Sequence, residues 1–158
     1  MKKILVVNGP NINILGKREL EIYGELSYNN LVDELKSYAK KKCVCLDELK
    51  SYAKKKCVCL DEFQSNSEGA IIDKLQELID GEYDALIINP AAYSHYSYAI
   101  YDALKAIKIK KVEVHLTNIF ARDEFRKTSV TAGACDGVIS GFGFDSYKLA
   151  IDYLLREE

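Results

Sequence analysis

The sequence lacks any apolar run that approaches the roughly 20 residues of a membrane-spanning helix. Its formal charge is only -2 over 158 residues, so the total gives no sign of a nucleic-acid or anionic-membrane partner. The first apolar run, Ile4 to Val7, is too short for the core of a secretion signal. These absences predict a cytoplasmic protein with reduced cysteines that binds neither nucleic acid nor membrane.

Motifs for binding nucleotides are also absent. No Gly-x-Gly-x-x-Gly follows the first apolar run, and no Walker A pattern occurs, so both usual phosphate cradles are missing. A receiver-type signalling domain would need an acidic cluster after its first strand and a phosphorylatable Asp at the end of its third. Asn8 and Asn89 stand in those places, which argues against a receiver domain.

Cysteine occurs five times, and four of the five belong to a tandem repeat. The stretch from Asp33 to Leu46 recurs unchanged from Asp47 to Leu60, so it carries two Cys-Val-Cys units. These units contain Cys43, Cys45, Cys57 and Cys59. Four thiolates could ligate zinc, but zinc motifs usually space paired cysteines by two or more residues. A duplication explains the pattern without a metal, and we expect no metal site.

Short apolar runs alternate with segments of helical periodicity. The runs that predict buried parallel strands are Ile4 to Val7, Cys57 to Phe63, Ala85 to Ile88, Val112 to Leu116 and Gly137 to Ile139. The predicted helices are Tyr28 to Lys42, Ala70 to Ile79, Tyr96 to Ile107, Ile119 to Arg126 and Tyr147 to Leu155. The alternation predicts an α/β fold: a flavodoxin-like three-layer sandwich with a five-stranded parallel sheet in the order 2-1-3-4-5.

The repeat lies between the first predicted helix and the second predicted strand of a single domain spanning 1–158. The 14 residues of one copy make about four helical turns, so a longer helix would keep its apolar face and include Val44 and Leu46. Alternatively, one copy of Cys-Val-Cys-Leu forms the strand and the other loops out at a small entropic cost. The sequence leaves both alternatives open, and in both the extra residues lie away from the carboxyl ends of the strands.

The ligand crevice of such a sheet lies outside the carboxyl ends of the strands. The two histidines of the chain, His95 and His115, lie at or just beyond two of these ends. Histidine titrates nearest neutral pH, so two histidines beside the crevice favour acid–base chemistry over a purely structural role.

Three of the four arginines follow strand ends. Arg18 follows the first strand, whereas Arg122 and Arg126 follow the fourth. Arginine offers a fixed fork of donors that suits a carboxylate. The alternative is that Arg122 and Arg126 form a solvent-facing i,i+4 helical face with Asp123 and Glu124.

The polar segment from Gly16 to Gly24 is bounded by glycines and has the features of a lid over the crevice. Within it, Arg18 could stabilise an ionised Tyr23 and lower the pKa of that phenol toward working pH. An ordinary surface loop is the alternative interpretation.

Several separated motifs, in this order, resemble the type II 3-dehydroquinate dehydratases. They are Asn8 to Asn11, Leu15 to Gly24, Gln64 to Gly69, Ile88 to His95, Val112 to Arg126 and Gly137 to Gly143. The resemblance spans the chain except for the extra repeat copy. It implies a flavodoxin-like fold, no metal or cofactor, and a dodecamer of four trimers. It also implies that the substrate is 3-dehydroquinate, in the shikimate pathway.

The resemblance further implies an anti elimination through an enolate. Tyr23 would be the base that removes a proton alpha to the ketone, and Arg18 would keep Tyr23 ionised. His115 would be the general acid for the departing hydroxyl, oriented by Glu113. Asn11 would orient the site, and Asn89 would help hold a water that stabilises the enolate oxygen. His95, Arg126 and the backbone amides of Leu116 and Thr117 would bind the substrate. Asp102 would contact the site region of the neighbouring subunit.

Three positions depart from the family pattern. Leu20 replaces a usual proline, which predicts a looser lid, and Tyr101 replaces a frequent arginine ahead of Asp102. Ala91 replaces a usual glycine, and an alanine would strain the turn if the position needs a positive φ. Because the duplication threatens assembly more than chemistry, the alternative function is a flavodoxin-like scaffold with impaired activity.

Overall fold

The computed structural model describes residues 2–17, 21, 25–44 and 58–156. The strands within these ranges are β1 (Lys2–Asn8), β2 (Val58–Gln64), β3 (Ala85–Asn89), β4 (Lys110–His115) and β5 (Gly137–Ser140). The α-helices are α1 (Tyr28–Val44), α2 (Glu68–Gln76), α3 (Tyr98–Ala106) and α4 (Asp145–Leu154). Short 3-10 segments cover Ile12–Ile14, Ala91–His95, Ile119–Ala121, Glu124–Arg126 and Thr131–Ala134.

The five strands form one parallel sheet in the order β2-β1-β3-β4-β5, which confirms the predicted topology. The register aligns the carboxyl ends of the central strands. Asn8 at the end of β1 pairs with Asn89 at the end of β3, and His115 of β4 pairs with Ser140 of β5. Polar side chains from distant parts of the sequence are therefore brought to one edge of the sheet.

Both faces of the sheet are covered by helices. In β1 the alternation of side chains sends Ile4 and Val6 to one face and Leu5 and Val7 to the other, and all four are buried. The first face packs against α1 and α4, and the second packs against α2 and α3. This is the predicted three-layer sandwich.

Two serine caps set where the helices of the second layer begin. The Ser67 hydroxyl accepts from the backbone N–H of Ala70 at the start of α2, and the Ser97 hydroxyl accepts from that of Ile100 at the start of α3. An N-cap side chain satisfies a backbone donor that the first helical turn leaves unpaired. Consequently α2 begins two residues earlier than the periodicity predicted, and α3 begins two residues later.

The predicted helix from Ile119 to Arg126 is wrong. This segment forms two 3-10 turns, separated by extended backbone at Arg122. Ile119 is its buried residue, whereas Phe120 and Phe125 are exposed. Because Ile119 is the apolar residue of this segment that packs into the core, tertiary packing does not stabilise an α-helix here.

The tandem repeat contributes to two elements. α1 extends through Val44 of the first copy, and β2 begins at Val58 of the second copy, which pairs with Lys2 of β1. The second copy thus supplies the first three residues of the edge strand, and Val44 is helical, as the extended-helix alternative expected. Leu46 and the remaining residues from 45 to 57 lie outside the described ranges.

Candidate active site

A cavity of about 160 Å³ lies at the carboxyl ends of β1, β3 and β4. Seven of the residues predicted for the site line it: Asn11, Asn89, His95, His115, Leu116, Thr117 and Arg126. Arg122 lines it as well, together with Pro10, Ile12, Ala91, Ala92 and Ile119. Several polar groups therefore converge on one concave surface, the usual arrangement of a small-molecule site.

The imidazole of His115 is held by Glu113. The two residues lie two apart on β4, and His115 Nε2 is 2.7 Å from Glu113 Oε1. The Glu113 side chain is fully buried, and His115 is 6% exposed. A carboxylate can only accept, so the proton lies on Nε2 and Nδ1 is the other nitrogen available for proton transfer. The pair can stabilise an imidazolium, the form needed to donate a proton.

Two hydroxyl groups orient Glu113 in turn. Ser129 Oγ donates to Glu113 Oε1 over 2.6 Å, and Thr131 Oγ1 donates to Oε2 over the same distance. Together with His115, these donors engage both carboxylate oxygens. A buried carboxylate is tolerated only when such bonds replace its hydration. Ser129 and Thr131 were not predicted from the sequence, because neither belongs to a strand end or a recognisable motif.

The imidazole of His95 is held by a backbone carbonyl group, and its surroundings favour the neutral form. Its Nδ1 lies 2.8 Å from the backbone carbonyl oxygen of Thr128 and so donates to it, which leaves Nε2 as an acceptor. Partial burial lowers the pKa of His95 below its ordinary value, and the nearby charge of Arg126 lowers it further, although the bond to Thr128 opposes them. His95 thus offers the cavity a hydrogen-bond acceptor.

Arg126 combines a charge with an unused donor. Its side chain is 27% exposed and its Nε lies 3.6 Å from Asp123 Oδ2, too far for a hydrogen bond. In the described part of the chain, this buried Nε–H meets no hydrogen-bond acceptor. Leaving a buried donor unpaired costs about 1–3 kcal/mol, so Arg126 is set to bind an anionic or hydroxyl oxygen. The alternative of an i,i+4 helical face with Arg122 is wrong, because no α-helix forms there.

Asn89 ends β3 with its amide held on two sides. Asn89 Oδ1 accepts from the backbone N–H of Ala91 over 3.2 Å, and Nδ2 donates to the Tyr147 hydroxyl over 2.8 Å. Tyr147 in turn donates to Asn8 Oδ1 over 2.7 Å. Neither Asn8 nor Tyr147 was predicted for the site. The buried position of Tyr147 on α4 is that of an ordinary core residue.

The turns after β1 and β3 lie in close contact. A side chain at Gly9 would collide with the Pro90 backbone, and the Gly9 N–H donates to the Asn89 carbonyl oxygen over 2.8 Å. Asn11 adopts a left-handed conformation with φ 65°, which asparagine tolerates. Ala91 also has a positive φ, 53°, which confirms that this replacement of glycine strains the turn.

Some predicted site residues lie elsewhere or outside the described ranges. Tyr23 and Arg18, the predicted base and its partner, fall in the segment that the structure does not describe, as does Leu20. Asp102 is exposed on α3 and does not line this cavity. Within the described ranges, no group of three or more His, Cys, Asp or Glu is arranged to hold a metal ion. No helix there is long and apolar enough to cross a membrane.

Known proteins match this sequence and fold over nearly their whole length. A family model described as dehydroquinase class II matches residues 2–155. A 3-dehydroquinate dehydratase of Caldicellulosiruptor saccharolyticus is 51% identical over 157 residues, covering 99% of this chain and 98% of its own. A type II dehydroquinase crystal structure from Butyrivibrio crossotus has a TM-score of 0.87 at 47% identity, covering 98% of both chains.

A second crystal structure, of the type II dehydroquinase from Propionibacterium acnes, has a TM-score of 0.86 at 36% identity. It covers 98% of this chain and 96% of its own. The family match, the sequence identity and the shared fold agree with the motifs at the strand ends. The chain belongs to the class II dehydroquinase family.

Proposed function

We propose that this protein dehydrates 3-dehydroquinate to 3-dehydroshikimate, in the shikimate pathway and in the cytoplasm. The observation that carries the proposal is the buried Glu113–His115 pair, whose imidazole lines the cavity beside Asn89. A histidine oriented by a carboxylate is a general acid suited to a poor leaving group such as a hydroxyl. Family membership supports the substrate.

The reaction begins with removal of a proton alpha to the ketone. The phenolate of Tyr23, kept ionised by the charge of Arg18, takes this proton, and the electrons of the broken C–H bond form an enolate. A water held by Asn89 donates to the enolate oxygen, and Asn11 orients the site around it. A donor placed where negative charge develops lowers the barrier.

The second step expels the hydroxyl group. The enolate collapses to form the carbon–carbon double bond, the C–O bond breaks, and the imidazolium of His115 supplies the proton with which the hydroxyl leaves as water. Glu113 stabilises the imidazolium beforehand. Base, acid and oxyanion donor are thus all supplied by the chain and a bound water, so the proposed reaction uses no metal or cofactor.

Substrate binding is assigned to groups around the acid. The unpaired Nε–H of Arg126 and the acceptor nitrogen of His95 suit the oxygens of a hydroxylated acid. The backbone amides of Leu116 and Thr117, just beyond β4, bind the carboxylate. Asp102 reaches the site region of a neighbouring subunit in the proposed dodecamer of four trimers. Exposed aromatic side chains such as Phe120, Phe125 and Phe142 support burial against other subunits.

Conversion of 3-dehydroquinate by the purified protein tests the proposal. The product contains a conjugated enone, so we expect absorbance in the ultraviolet to rise with time. Folded protein that gives no such signal would overturn the assignment and favour the scaffold alternative. Light scattering provides a second readout, since a dodecamer is expected, whereas a monomer or trimer would indicate that the duplication disturbs assembly.

The base is tested separately. Tyr23→Phe removes the phenol, so turnover should vanish while the substrate still binds. Tyr153→Phe, at an exposed position on α4, is the matched control and should leave turnover unchanged. Undiminished turnover in Tyr23→Phe would refute the assignment of the base.

A further inference from the structure

A chain of polar side chains leads from Asn89 to the protein surface. Asn89 Nδ2 donates to Tyr147, and Tyr147 donates to Asn8 Oδ1. The Asn8 amide lies beside the Tyr28 hydroxyl, which donates to Glu62. The links join the ends of β1 and β3 to α4, α1 and the edge strand β2.

The groups at the two ends of the chain fix its direction. At the inner end, the backbone N–H of Ala91 can only donate, so the side of the Asn89 amide that faces it must be the oxygen. At the outer end, the carboxylate of Glu62 can only accept, so the Tyr28 hydroxyl must donate to it. With the Asn89 oxygen facing Ala91, the Asn89 NH₂ group donates to Tyr147, and the Tyr147 hydroxyl donates to Asn8 Oδ1.

Burial makes a reversed arrangement costly at the inner end. Tyr147 is fully buried, Asn8 is 1% exposed and Asn89 is 3% exposed. If the Asn89 amide turned over, its NH₂ group would face the Ala91 N–H and its oxygen would face a hydroxyl already committed to Asn8. Water has little access to replace the lost bonds at these positions.

Both phenols in the chain keep their protons. Burial raises the pKa of Tyr147 well above its ordinary value. Burial and the hydrogen bond to Glu62 do the same for Tyr28. Each hydroxyl therefore stays neutral, so polar groups along the chain can polarise one another.

We propose that Tyr147 is a positioning residue that holds the Asn89 amide in the orientation set by the Ala91 N–H, with Asn8 accepting from Tyr147 and with Tyr28 and Glu62 acting on Asn8 from outside. The proposal rests on the function proposed above, in which Asn89 holds the water that stabilises the enolate. With one Nδ2 hydrogen and one Oδ1 lone pair already used, Asn89 keeps one N–H and one lone pair for the cavity. By holding the Nδ2 side of the amide, Tyr147 keeps these two groups in place beside that water.

Tyr147→Phe tests the inner link. The substitution keeps the ring in the core but leaves Asn89 Nδ2 and Asn8 Oδ1 without their shared partner. We expect kcat for 3-dehydroquinate to fall about 10- to 100-fold, less than the roughly 100- to 1000-fold loss caused by removing an oxyanion donor outright. KM should stay within about threefold, because Asn89 acts on the transition state rather than on substrate binding.

Tyr38→Phe is the matched control. Tyr38 also donates to a side chain, Asp152 Oδ2, over 2.8 Å, but it joins α1 to α4 at a distance from the cavity. Its loss removes a hydrogen bond of the same kind without touching the chain, so kcat should not change. Thermal unfolding of both variants separates stability from turnover.

The outer links provide a test that does not depend on a core substitution. Tyr28→Phe and Glu62→Gln should each lower kcat roughly twofold to fivefold, since each weakens the polarisation of the chain. Their double variant should lose no more than the larger single loss, because the two residues act through one link.

Two outcomes would overturn the proposal. One is a kcat for Tyr147→Phe within about twofold of the wild-type value. The second outcome applies if Tyr147→Phe does not fold. It is an undiminished kcat in both Tyr28→Phe and Glu62→Gln. Failure of the proposed function is distinguishable, because the wild-type protein would then not convert 3-dehydroquinate at all.

Discussion

Thr131→Val should weaken both the fold and the catalytic acid. Thr131 is fully buried, and its hydroxyl donates to Glu113 Oε2 over 2.6 Å. Valine keeps the shape but places a methyl group against a buried carboxylate oxygen. Losing a hydrogen bond to a charged group costs about 1.5–3 kcal/mol of unfolding free energy. For a chain of this size, that lowers Tm by about 3–12 °C in a calorimetric or circular-dichroism melt.

Turnover should fall as well, because Glu113 would lose one of the two hydroxyl groups that orient it toward His115. We expect kcat for 3-dehydroquinate to drop about tenfold, part of the contribution of a positioned general acid. Thr128→Val is the control. Thr128 is exposed, so the free energy of unfolding of this variant should change by less than about 0.5 kcal/mol. Equal Tm values for the two variants would refute the role given to the Thr131 hydroxyl.

Three further predictions concern the turn, a helix cap and pH. Ala91→Gly removes the strain of a positive φ and should raise Tm by about 1–4 °C, whereas Ala92→Gly, without that strain, should lower it. Ser97→Ala removes the cap of α3 and should cost about 1 kcal/mol in denaturant unfolding, with kcat unchanged. Folding lowers the pKa of His95 below its value in the unfolded chain. The contribution of His95 to stability is therefore fully present at a pH above the unfolded-state pKa, where the side chain is neutral. That contribution is lost as the pH falls below about 6.5, so wild-type stability should decline more steeply there than that of His95→Gln.

The sequence predicted the sheet and most of the cavity because both depend on local patterns. Buried strands appear as short apolar runs, and the topology brings their carboxyl ends together, so His95, His115 and Asn89 could be placed at one edge. The motifs shared with the family then predicted the reaction and the roles of these residues. Tyr23 and Arg18 stay predictions, since their segment lies outside the described ranges.

The residues that sequence reasoning missed act through long-range contacts. Ser129 and Thr131 meet Glu113 from 16 and 18 residues away, and Tyr147 meets Asn8 across 139 residues. Nothing in the local spacing of a serine, threonine or tyrosine predicts such a partner. The prediction of a helix from Ile119 to Arg126 was wrong for a related reason. The spacing of apolar residues along the sequence does not show whether the fold offers a surface on which such a helix can pack.

The central claim is that the Glu113–His115 pair delivers the proton with which the hydroxyl group leaves. The most direct test compares kcat for 3-dehydroquinate between the wild-type protein and His115→Gln, with substrate binding measured by calorimetry. The account predicts a loss of about 100-fold or more in kcat while the substrate still binds. A kcat within about twofold of wild type would contradict it.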